Sequence, residues 1–182
     1  MTVHSLQVWL VAAIERHSPV ADVMRTAWAW PLAESLHFLG LCLLVGAIGS
    51  FDLRLLGVAR SVPIAAVHRL IPWGLLGFAI NIGSGLLFVL TEPDQYIYNP
   101  SFHLKVLFLG IAGVNASLFY VTSFRQVFGA APSLDAPRRA KLIALISLSA
   151  WIAVIVCGRM LTFYRPGPCV GDRGVLLTCN PD

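Results

Sequence analysis

Four long apolar runs dominate the chain, from about Pro31 to Gly57, Ile64 to Leu90, Ser101 to Phe124 and Arg139 to Tyr164. Each reaches the roughly 20 mostly apolar residues that a helix needs to cross a hydrocarbon core. The runs predict four transmembrane helices in an up-down bundle. Pro31 and Pro63 stand where helices begin, since a missing N–H costs nothing in a first turn. TEPDQYIYNP, between the second and third runs, has turn formers and places Tyr96 and Tyr98 at interface depth. Ser18-Pro19 reads as a cap and first helical position, so segments 4–16 and 19–30 are expected as short helices in the headgroup region. Trp9, Trp28 and Trp30 would anchor them at the interface. The expected class is an all-α polytopic membrane protein. It divides into interfacial helices (1–30), a bundle (31–164) and a polar tail (165–182).

Composition agrees. The 182 residues are 57% hydrophobic and 12% charged, with a mean hydropathy of +0.77, whereas a soluble domain carries about 25% charged residues. The net charge of +4 does not point to nucleic acid, because no basic run with interleaved aromatics occurs. MTVHSLQVWL lacks a basic leader, apolar core and small-residue cleavage site, so no cleaved signal peptide is expected. Arg54, Arg60 and Arg69 flank the first connection, and Arg125, Arg138, Arg139 and Lys141 the third. This bias puts those connections inside and both termini outside. Cys169 and Cys179 then lie in an outer tail where a disulfide is expected, two free thiols being the alternative. Cys42 and Cys157 lie within spans and read as small packing residues.

Ionisable residues inside spans are costly and usually functional. His37 lies about two turns into the first span and His103 about one turn into the third, both counted from the outer face. First and third helices are diagonal neighbours in such a bundle. Two imidazoles at matched depth can ligate one flat cofactor from opposite faces, and haem iron accepts neutral imidazole. Gly110 lies within about 20° of His103, one heptad deeper, where a glycine leaves room for a macrocycle; Ser117 continues the stripe. Gly74, Gly77, Asn81 and Gly85 form a second small or polar stripe, for which close helix packing is the simpler reading.

Arg159, and less directly Lys105, are candidates to pair with haem propionates; snorkelling to phosphate is the alternative for both. Glu34, about 60° from His37, is a candidate to orient that ring or to take a quinol proton. His68 has no partner histidine at its depth and reads as interfacial, Asp52 and Arg54 as an inner-end charge pair, and His4 and His17 as solvated.

PLAESLHFLGLCLLVGAIGSFDLRLLG, a Gly-rich span and NPSFHLKVLFLGIAGVNASLFY together resemble a group of uncharacterised bacterial four-helix membrane proteins. That group looks related to the copper-resistance protein D domain and to small four-helix b-type cytochromes. The resemblance covers about residues 30–165. It implies an up-down bundle in the bacterial inner membrane with periplasmic termini, and haem ligation carried by His37 and His103. Two bis-histidine haems would need four span histidines, and this chain offers three with one matched pair. There is no outer Met-rich or His-rich cluster for copper, and Met24 and Met160 form no thioether site by sequence. The leading expectation is a b-type cytochrome subunit exchanging electrons between membrane quinol and a periplasmic redox partner. The Tyr96/Tyr98 loop would lie at the quinol edge. The alternatives are a copper-handling protein using His37, His103 and Cys42 or Cys157, and a non-catalytic subunit of a larger membrane complex.

Overall fold

The computed structural model describes residues 3–15, 19–129 and 135–163, with the backbone of 167–170 and 176–179. Four helices are long and apolar enough to cross a membrane: Ala29–Leu56, Ile64–Thr91, Pro100–Gly129 and Arg138–Met160. The first is α3. The second comprises α4 (Ile64–His68) and α5 (Ile71–Thr91). The third comprises α7 (Pro100–Leu118), a π-helical turn (Phe119–Ser123) and α8 (Phe124–Gly129), and the fourth is α9. Preceding them are α1 (Val3–Glu15) and α2 (Pro19–Met24), and α6 (Pro93–Ile97) joins the second and third. The beginning of α3, the end of α5, the beginning of α7 and the end of α9 define the proximal end, and the opposite end is distal.

Local chemistry sets the boundaries. Gly57 ends α3 in a left-handed conformation, φ 102°, and the Val58 N–H reaches back to Leu53 O at 2.9 Å. That is the turn by which a glycine after the last helical residue satisfies dangling carbonyls. Asn99 caps α7, accepting from the Ser101 N–H at 2.9 Å, with Pro100 at the first helical position. The segment expected as a plain loop, TEPDQYIYNP, thus contains the short helix α6 and a buried cap.

Close packing runs in the order α5–α3–α9–α7; α5 and α7 approach each other less closely. The α3–α5 seam is built on glycine. A Cβ added at Gly77 would stand 2.5 Å from Gly40 O, and one at Gly40 would stand 2.6 Å from Asn81 Nδ2. Gly40 and Gly77 therefore serve backbone approach, as small residues do between membrane helices. The buried core falls into three patches. Phe51, Leu55, Phe119 and Ala140 lie distally, Leu44, Ala112, Trp151 and Val154 centrally, and Met24, Ala29, Ala33 and Phe88 proximally. The outward surface is largely aliphatic, with Leu39 61%, Leu75 60% and Val114 62% exposed. A contiguous apolar surface of this kind is unfavourable in water and matches lipid.

Helix α1 falls within a residue of the expected segment 4–16, whereas the helix expected over 19–30 stops at Met24 and Ala29 already opens α3; α1 packs on α6 and α2 on α5. Trp9 and Trp28 are exposed, whereas the Trp30 ring lies 5.0 Å from Phe88 in the proximal core. Ser18 and His17 and the His4 side chain lie outside the described residues. In the tail the backbones of β1 (Gly167–Val170) and β2 (Leu176–Cys179) pair antiparallel, with Gly167 opposite Cys179. The side chains of Cys169 and Cys179, and so the expected disulfide, lie outside the described residues.

Candidate functional site

His37 projects from α3 towards α5, where its Nδ1 lies 2.8 Å from Ser84 Oγ. The Ser84 hydroxyl also donates to Ile80 O one turn back, at 2.7 Å. A serine has one proton to give. With that proton on the Ile80 carbonyl, Ser84 accepts from the His37 Nδ1–H. In that arrangement the lone pair falls on Nε2, whereas a Ser84 proton turned to Nδ1 would put the ring N–H there. Phe88 packs edge-on against the ring at 5.7 Å, and a Cβ on Gly85 would stand 3.8 Å from its Cε1. Gly85 thus leaves space at the ring while Gly77 closes the seam below it.

Lys105, on α7, turns inward at the same end. It is half-buried, and its Nζ lies 3.7 Å from where a Gly158 Cβ would stand. It is close enough to both His37 and Cys157 to interact with them electrostatically. Among the described residues it has no ion-pair partner. His37, Ser84, Lys105 and Cys157 come from four different spans, so the proximal half of the bundle gathers an imidazole, a hydroxyl, an ammonium and a thiol.

The remaining expected residues are placed differently. His103 is on the exposed face of α7, and its Nε2–H donates to Ile97 O at 3.0 Å, which leaves the lone pair on Nδ1. Gly110 shares that face and has open space beside it. Arg159 is exposed, its guanidinium 5.8 Å from the Phe163 ring centre. Glu34 is exposed, and the group that holds the His37 ring is Ser84. Cys42 is exposed and Cys157 half-buried. Tyr96 packs on Phe102 at 5.6 Å. Among the described residues no group of three or more His, Cys, Asp or Glu side chains is arranged to hold a metal ion.

At the distal end one expectation is corrected. Asp52 and Arg54 do not pair. Arg54 is buried and donates to the carbonyls of Val62 and Arg60, closing the turn after α3. Asp52, also buried, faces Ser147 on α9 instead. Side chains two apart on a helix diverge by about 200°, so such a pair cannot meet. His68 is half-buried, ringed by Phe51, Tyr120, Phe124 and Phe128 at 5.0 to 6.1 Å, with Nε2 3.2 Å from the Tyr120 hydroxyl. The π-helical turn belongs to this arrangement, since it carries Phe119 and Tyr120. The sequence signal for it was the cluster of Phe and Tyr at 119–128. Ser84 had a signal too, standing one helical turn below Phe88 in the small-residue span.

Compared with known protein families, curated proteins and solved structures, the chain matches none.

Proposed function

We propose that the chain is a b-type cytochrome subunit of the bacterial inner membrane, exchanging electrons between membrane quinol and a periplasmic redox partner. The observation that carries this reading is the His37–Ser84 hydrogen bond, which engages Nδ1 and, with the Ser84 proton on Ile80 O, leaves the Nε2 lone pair open to a metal. Metal-ligating histidines are held in this way, with the other ring nitrogen donating to a fixed acceptor. Haem supplies one-electron chemistry when bound; the protein supplies ligand, depth and field. His37 fits an axial ligand. Lys105, an inward ammonium lacking a carboxylate partner, fits a propionate better than exposed Arg159 does. His103 has a free nitrogen as well, yet it joins His37 on one metal only after its ring leaves the Ile97 carbonyl. Glu34, exposed near the same end, suits a quinol proton acceptor.

The test is a reduced-minus-oxidised spectrum of the full chain purified in detergent from haem-replete cells. A b-type band is expected, abolished in His37→Ala and shifted or weakened in His103→Ala. Absence of haem in the wild type refutes the reading. Bound copper without that band would instead favour a copper site built on His37 and Cys157, and neither cofactor would leave a non-catalytic subunit.

A further inference from the structure

Asp52 Oδ2 is buried and has no hydrogen-bond partner, alone among the buried side-chain oxygens and nitrogens of the described residues. The residue is 4% exposed and sits one turn from the distal end of α3, pressed against α9 at Ser147. A polar group in such surroundings normally finds a partner, and a carboxylate finds a cation. The cations nearby are committed elsewhere. Arg54 is bonded to loop carbonyls, and Arg60 and Lys141 bind Asp135. Arg69, Arg125, Arg138 and Arg139 are exposed. His68, behind Phe51, is engaged with Tyr120. Helix α5 contributes no ionisable side chain between Ile71 and Thr91. The hydroxyl of Ser147 is the polar group beside the Asp52 carboxyl.

A bare carboxylate here would be an uncompensated charge in a membrane-spanning segment, the costliest state open to it. A metal ion does not resolve this, because calcium takes six to eight oxygen ligands and magnesium near-octahedral coordination. Asp52 and Ser147 supply far fewer, and the described residues contain no cluster of three metal-ligating side chains. A proton requires no coordination shell. It removes the charge and leaves only a neutral hydroxyl short of one hydrogen bond.

We propose that Asp52 is an intramembrane proton-binding site, its carboxyl carrying a proton beside Ser147 and exchanging it with the distal aqueous phase. The site lies at the opposite end of the bundle from His37 and does not depend on haem.

A hydrophobic carbodiimide tests this on the full chain in detergent micelles. The reagent adds to a protonated carboxylic acid, the O–H adding across a C=N bond, and leaves a stable acylurea after rearrangement. Peptide mass spectrometry of the wild type at neutral pH is expected to find the adduct on Asp52 and none on ion-paired Asp135. Labelling should fall as pH rises and vanish in Asp52→Asn, a near-isosteric variant that keeps the helical circular dichroism. In infrared spectra the wild type should show the carbonyl stretch of a protonated acid, missing from the variant. An unlabelled Asp52 together with no such band overturns the proposal. Protection of Asp52 by sodium at constant pH also overturns it, since the ligand would then be a metal cation. If Asp52→Asn loses its helices, the infrared band and the pH profile of wild-type labelling still decide the matter.

Discussion

Gly77→Ala should weaken the α3–α5 seam more than any other single methyl placed along it. The added Cβ would stand 2.5 Å from Gly40 O, 2.7 Å from Leu44 N and 2.8 Å from Leu43 Cβ. The nearest two of these atoms are backbone, so no rotamer change relieves them. Ordinary contact begins at 3.4 Å, so the helices must part by about 0.9 Å along the closest line. Overpacking a tight interior costs about 1–3 kcal/mol, and an obstacle made of backbone belongs near the top of that range. The His37–Ser84 hydrogen bond and dispersion contact oppose the separation, with no hydrophobic force added, because lipid tails are as apolar as the helix faces. The assay is reversible unfolding in mixed detergent micelles, followed by circular dichroism. Gly83→Ala and Gly49→Ala are the references, since neither added methyl meets anything within 4 Å. Each should be neutral or stabilising by about 0.5–1 kcal/mol through helix propensity. Gly40→Ala should behave like Gly77→Ala, and the double variant should cost less than the two together, because the first methyl already makes room for the second. A Gly77→Ala protein as stable as Gly83→Ala would refute the glycine-built seam.

Two other perturbations probe the ends. Asn99, fully buried, caps α7 and reaches Leu161 O at 3.5 Å; Asn99→Ala should cost about 1–2 kcal/mol in the same unfolding assay. Asp135 lies outside the spans and accepts from Lys141 at 3.1 Å and Arg60 at 3.2 Å. The Lys141 hydrogen bond, aided by the charges of Arg60, Lys141 and Arg54, holds its carboxyl below the usual 3.8. A depressed acid contributes stability that is present above 3.8 and lost as pH falls through its own lower value. Asp135→Asn should therefore flatten the acid limb of the pH–stability curve, and raised salt should shrink the difference between variant and wild type.

Much of the architecture was legible from the chain alone. The apolar runs located all four membrane-length helices to within a few residues at most ends, because length and hydropathy are properties of contiguous sequence. Gly57 and Pro63 stand at real boundaries for local backbone reasons, whereas Pro31 falls in the first turn of a helix that begins at Ala29. The end of the third helix was missed: after a π-helical turn at Phe119–Ser123, which hydropathy does not reveal, it runs on from Phe124 to Gly129.

The inward faces were harder to read. In a soluble bundle the apolar stripe identifies the core, but a helix in lipid is apolar all round and the stripe disappears. Placing His103 and Gly110 on the inner face of the third helix therefore rested on the polarity of one residue. The structure puts that face outward and turns Lys105, about 200° away, towards His37 and Cys157. Likewise the sequence showed a serine and a histidine without showing that they hydrogen-bond to each other across the α3–α5 seam. An isolated Asp52 looked paired because a cation stood two residues away. Which side chains meet depends on how four nearly featureless cylinders rotate about their axes, and that rotation is decided by contacts between helices, glycine at the α3–α5 seam and buried alanines such as Ala112, Ala140 and Ala144 elsewhere. The sequence determined that there are four cylinders, how long they are and where they turn; only their packing decided which polar groups share an interior.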